Sequence, residues 1–173
     1  MQLKTVKKIL VTFCVNHVLA GTVFFEPKRR LLNSIGCEIG EGTKVVGPVY
    51  NTGNLKIGKN CWIGKNLTVN GNGTVIIGDN CDIAPEVTFQ TGGHRIGTAE
   101  RRAGPGEKYT IRVGNGCWIC GRSTVVKSVC IGNGSIVAAC ACVTADVESN
   151  TLAGGVPAKT IRKLEDDQTV ICQ

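Results

Sequence analysis

A chain of 173 residues, 42% hydrophobic but only 5% aromatic, suits one domain with modest appendages and rules out a broad, bulky core. The formal charge of +7 suits an acidic partner: anionic lipid, a phosphate-bearing cofactor or nucleic acid. No basic run is interleaved with aromatics, so nucleic acid is set aside, and 23 glycines point to a narrow core of Ile and Val with many tight corners.

Residues 1–34 form a separate helical segment by pattern. Leu3, Val6, Leu10, Phe13 and His17 follow helical spacing, and Lys4, Lys7 and Lys8 cluster among them. From Ile9 to Phe25 there is no formal charge, but Thr12, Asn16, His17, Gly21 and Thr22 interrupt the run. A membrane span needs about twenty predominantly apolar residues, which this stretch lacks. Lys7 and Lys8 ahead of an apolar run ending Val18-Leu19-Ala20 also outline a signal peptide. The leading expectation is an amphipathic helix on the flank of the body or at a subunit contact. A peripheral membrane contact through residues 1–33, helped by Lys28, Arg29 and Arg30, is the other. His17 is expected to be packed or interfacial.

From about Ile35 a six-residue rhythm takes over. Ile35, Ile39, Val45 and Val49 are irregular, as suits a terminal coil; Ile57, Ile63 and Val69 then run at six. Ile77, Ile83 and Phe89 resume after two extra residues within Asn70-Gly71-Asn72-Gly73, and Val113 to Val143 keeps the period without a slip. Six matches neither the 3.6-residue helix nor a simple hairpin; it is the mark of a hexapeptide β-helix, spanning 35–164. Cys61, Cys81 and Cys117 each follow an Ile or Val of the rhythm by four, so they are expected to fill the prism rather than form disulfides. Cys117-x-x-Cys120 has zinc-like spacing without a second pair, so no metal is expected. Many unpaired thiols fit a reducing cytoplasm.

Between Phe89 and Ile111 the rhythm stops. Residues 90–110 read as a polar, glycine-rich loop thrown out of the coil, and loops on rigid scaffolds commonly carry function. His94, between Gly93 and Arg95, is the candidate base, because histidine titrates near neutrality. Glu100 and Glu107 share the loop, and either could orient the imidazole. After Val147 the exit is turn-rich, Thr160 to Asp167 is expected to form a short capping helix, and 165–173 is a tail.

Four stretches carry a resemblance: Ile77-Gly78-Asp79-Asn80-Cys81-Asp82-Ile83-Ala84-Pro85, Thr91-Gly92-Gly93-His94, Val113-Gly114-Asn115-Gly116-Cys117-Trp118-Ile119 and Ala153-Gly154-Gly155-Val156-Pro157-Ala158-Lys159. Together they resemble the sugar O-acetyltransferases of the hexapeptide-repeat superfamily. The resemblance implies an all-β, left-handed parallel β-helix and a homotrimer with active sites between neighbouring coils. It also implies an acetyl-coenzyme A donor and a saccharide or other small-molecule acceptor. It makes His94 the base that deprotonates the acceptor hydroxyl. By motif position, coenzyme A contacts fall on Gly121, Ala139, Thr144 and Ala145, and its phosphates on Lys159 and Arg162. Relatives often carry Lys where Ala145 stands, which leaves Ala145 only its backbone to offer. Asn70 occupies a corner that could face the acceptor, although an Asn-Gly turn by itself explains the residue. Transfer to an amino sugar or small amine, and a non-enzymatic trimeric scaffold, are the alternatives.

Overall fold

The structure is a computed structural model that describes residues 2–165. Each hexapeptide becomes one short strand and one corner, and three of them close a triangular coil. Register makes this visible. On the first face Ile39 lies beside Ile57, Ile57 beside Ile77, Ile77 beside Val113 and Val113 beside Ile131. The second face stacks Val45, Ile63, Ile83, Ile119, Val137 and Ala153. The third stacks Val69, Phe89, Val125 and Val143. Strands within these stacks are parallel, and the residues named point into the prism and are buried. Each Val, Ile or Phe among them contributes about 1.5–3 kcal/mol on leaving water. The first coil, irregular to the eye, is in register with the second: Ile39, Val45 and Val49 pair with Ile57, Ile63 and Leu67.

Polar ladders hold the coils at their spacing. At one corner the Lys59 N–H donates to Asp79 Oδ1 (2.7 Å), the Asp79 N–H to Asn115 Oδ1 (2.8 Å) and the Asn115 N–H to Asn133 Oδ1 (2.8 Å). Beside them the coils nearly touch: a Cβ on Gly40 would lie 2.6 Å from the Gly58 carbonyl oxygen. Inside the prism, the Thr43 hydroxyl and the thiols of Cys61, Cys81 and Cys117 donate to carbonyls of the next coil at 2.7–3.1 Å. The cysteines therefore fill space, as expected, and also satisfy backbone acceptors. Those described are all free.

A stack of parallel strands leaves an open edge at each end; the N-terminal edge is met by side chains on all three faces, and a reversed strand covers the C-terminal edge of the second face. At the N-terminal end α1 (Gln2–Phe13), a π-helical turn (Cys14–Val18) and α2 (Phe25–Asn33) lie across the first coil, with Val11, Val15 and Leu32 in the core. One side chain or more answers each exposed strand. Asn33 accepts from the Ile39 N–H (2.8 Å) and donates to its carbonyl (3.0 Å), which Arg29 also reaches. Lys28 Nζ donates to the carbonyls of Val46 (2.9 Å) and Gly21 (2.6 Å). Asn16 accepts from the Val49 N–H (2.9 Å) and donates to the Val49 carbonyl (3.0 Å). One expectation is corrected. Lys28 is fully buried and unavailable to a membrane, and Arg29 and Arg30 are engaged by Glu26 at 2.8 and 2.7 Å. His17, expected to be packed or interfacial, is exposed on the single chain, with its ring 4.9 Å from that of Phe13. No helix among the described residues is long and apolar enough to cross a membrane.

The C-terminal end also differs from expectation. Where a capping helix was expected from Thr160 to Asp167, the strand Ala158–Lys163 turns back and pairs antiparallel with Thr151–Gly155. An eight-residue segment is marginal as a helix, while the last parallel strand offers it a row of unpaired backbone groups. Residues 166 and 167 lie outside the described range.

Candidate active site

The break in the rhythm is a β-hairpin rather than an irregular loop. Gly92–Ile96 and Ala103–Lys108 pair antiparallel, with Gly93 opposite Glu107 and His94 opposite Gly106, and a bulge before Ile96. The hairpin leaves the third-face strand Thr88–Gln90 and returns to the first-face strand Thr110–Val113. It therefore grows from one corner, while Phe89 still pairs with Val125 beneath it. Its base is tied to the preceding coil: the Thr91 N–H and hydroxyl both donate to the Asn70 carbonyl, at 2.7 and 3.0 Å.

His94 and Asn70 line the same open cavity of about 630 Å³, together with Thr52, Gln90, Glu107 and Lys108. The His94 side chain is exposed, but its ring is oriented: Nδ1 lies 2.7 Å from the Gly104 carbonyl oxygen. A carbonyl can only accept, so Nδ1 carries the proton, and in the neutral ring Nε2 keeps its lone pair. That is the tautomer a base needs. Neither candidate carboxylate does this work. Glu107 accepts from Arg95 Nε (2.8 Å) and from the Tyr109 hydroxyl (3.2 Å), and Arg95 holds its carboxyl below the ordinary range. Partial burial, then the neighbouring Glu107 carboxylate, push the Tyr109 phenol upward. Glu100 is held low by its bond to Thr98 instead. The hairpin leaves no room beside the ring of Tyr109: a Cβ on Gly93 would lie 2.6 Å from its hydroxyl oxygen.

The remaining candidates fall in three places. Gly121 and Ala139 occupy one corner on successive coils, where the Cys140 N–H donates to the Gly121 carbonyl (3.0 Å). Gly121 sits against Pro85, whose carbonyl oxygen a Cβ would approach to 3.2 Å. Thr144 and Ala145 follow the last third-face strand, on the edge from which the His94 hairpin departs two coils earlier, and both are exposed. Lys159 and Arg162 stand on the folded-back strand, paired with Gly154 and Leu152. His94 and Asn70 are thus brought together within one chain. The other candidates border the two edges of the third face and the C-terminal end of the second. Among the described residues no three of His, Cys, Asp and Glu gather as metal ligands.

No protein-family model matches the chain. The galactoside O-acetyltransferase of Escherichia coli K12 is 36% identical over 143 residues, which is 82% of this chain and 70% of that protein. The chain belongs to the hexapeptide-repeat acetyltransferase family. Solved structures agree. A galactoside acetyltransferase in complex with coenzyme A matches at a TM-score of 0.80 and 30% identity, over 95% of this chain and 82% of that one. A hexapeptide-repeat-containing acetyltransferase from Vibrio cholerae matches at 0.80 and 25% identity, over 95% and 92%. The coil of this acetyltransferase is accordingly the left-handed parallel β-helix. The sequence does not reveal the Gly104 carbonyl as the partner of His94. Every residue carries a carbonyl, and only the bulged register of the hairpin turns this one toward the ring.

Proposed function

We propose that this acetyltransferase transfers the acetyl group of acetyl-coenzyme A to a hydroxyl of a sugar or saccharide, with His94 as the general base. The observation that carries this reading is the 2.7 Å bond from His94 Nδ1 to the Gly104 carbonyl, in a cavity that Asn70 also lines. Nε2 takes the proton of the acceptor hydroxyl as its oxygen attacks the thioester carbonyl carbon. The resulting imidazolium is stabilised through Nδ1–H by the Gly104 carbonyl dipole. Collapse of the tetrahedral intermediate breaks the carbon–sulfur bond, and the proton held on Nε2 passes to the departing thiolate. The products are the acetyl ester and coenzyme A. A backbone N–H is the natural donor to the oxyanion in such a site, and the Asn70 amide is suited to a second sugar hydroxyl.

Coenzyme A is a polyanion, and Lys159 and Arg162 complement its phosphates on the terminal strand. Gly121 and Ala139, without bulky side chains, allow its pantetheine arm to lie against backbone; Thr144 and Ala145 border the opposite edge of the same face. A homotrimer is part of this proposal, because packing one copy's edge against the next would turn an open face into a walled groove. The test is to incubate purified protein with acetyl-coenzyme A and a panel of galactosides, other saccharides and amino sugars, and to identify products by mass spectrometry. Acetyl esters on a sugar hydroxyl support the assignment. Products acetylated only on nitrogen, or none with any acceptor, refute it. Sedimentation equilibrium reads the trimer directly.

A further inference from the structure

The N-terminal helix sends only Val11 into the core, and the turn after it adds Val15, whereas Leu3, Val6, Ile9, Leu10 and Phe13 are 51–85% exposed on the opposite side of the helix. Monomeric surfaces seldom carry so contiguous an apolar patch without a use for it. Its setting is strictly cationic: Lys4, Lys7 and Lys8 are exposed on the same helix, and no acidic residue occurs before Glu26.

We propose that α1 docks on an anionic lipid surface, lying in the plane of the interface with its outer apolar face inserted and its lysines on the headgroups. Two observations favour lipid over a second copy of the chain. Two such helices brought together would add six lysines with no acid among them. Apolar residues on one side of a helix and lysines on the other are the pattern of an interfacial helix, and no described helix is long and apolar enough to span a bilayer. The surface would hold the enzyme where lipid-borne acceptors lie.

The test uses the full chain in a flotation assay with vesicles of phosphatidylcholine alone and of phosphatidylcholine with phosphatidylglycerol, at low and high salt. Binding is expected only to the anionic vesicles and is expected to weaken with salt. The triple variant Lys4→Gln, Lys7→Gln, Lys8→Gln should lower the vesicle partition coefficient by roughly 100-fold, from the contribution of three surface cations. The double variant Leu10→Ser, Phe13→Ser alters only exposed positions and should lower it at least about tenfold. Both should keep wild-type helicity by circular dichroism and wild-type transfer to a soluble acceptor. Failure of the wild type to bind anionic vesicles overturns the proposal, as does unchanged binding by both variants. A double variant that loses oligomeric mass in lipid-free buffer overturns it too, since the face would then be a contact between copies.

Discussion

Replacing His94 by Asn separates the chemistry of the imidazole from its place in the hairpin. The amide nitrogen of Asn sits where Nδ1 sits, so the donor to the Gly104 carbonyl at 2.7 Å is retained. What disappears is Nε2, the atom assigned to take the acceptor proton. A positioned base contributes ~10²–10⁴ in rate, equivalent to about 2.7–5.4 kcal/mol of barrier. Because the side chain is exposed and its one bond survives, thermal stability should move by less than about 0.5 kcal/mol. Turnover is followed as acetylated product by mass spectrometry across a pH series, and unfolding by circular dichroism. The expected result is a loss of at least 100-fold in kcat with an unchanged melting curve. A variant that keeps a tenth of wild-type turnover would refute the assignment of Nε2 as base.

Three more outcomes follow from the geometry. Asn16→Leu strands the buried Val49 N–H and carbonyl together, and should cost about 2–4 kcal/mol, read as a lower urea midpoint; an unchanged midpoint would show that water satisfies this edge. Gly93→Ala drives a methyl into Tyr109, which shares Glu107 with Arg95. It should reduce kcat/KM by about tenfold through a displaced hairpin while sparing global stability, because the strain is confined to an appendage outside the core. Glu26 has its carboxyl lowered to about 2 by Arg29 and Arg30. A depressed folded-state pKa means that its contribution is present above the ordinary carboxylate value and is lost as pH falls from about 4.5 toward 2. The difference in melting temperature between wild type and Glu26→Gln should therefore shrink over that window, and a constant difference would contradict the ion pair.

The repeat positions were legible because a local spacing encodes them. Ile63 or Val137 needs no knowledge of distant residues to be assigned inward, and the same holds for Cys81, whose place in the rhythm made it core. The family followed from four short motifs, and His94 from its isolation in the one long break. What escaped the sequence depends on partners far along the chain. Asn16 looks like an interruption of an apolar run until Val49, 33 residues away, needs both a donor and an acceptor. Lys28 resembles a surface cation beside Arg29 and Arg30, yet its amine is drawn inward by two carbonyls. The segment after Pro157 has ordinary helical composition, and only the edge left by Thr151–Gly155 makes it a strand. In each case a backbone group at the rim of the coil decided the outcome, and such groups have no signature in side-chain order.

The same rims bear on how the molecule stays finite. A rod built from identical tiers has no intrinsic length, and a bare tier would accept a tier from another molecule as readily as one of its own. The N-terminal helices stop one end, and the final reversed strand covers the second face at the other. Deletion of residues 1–33 would uncork the three strands of the first tier, and that end would then be free to meet the same end of another copy.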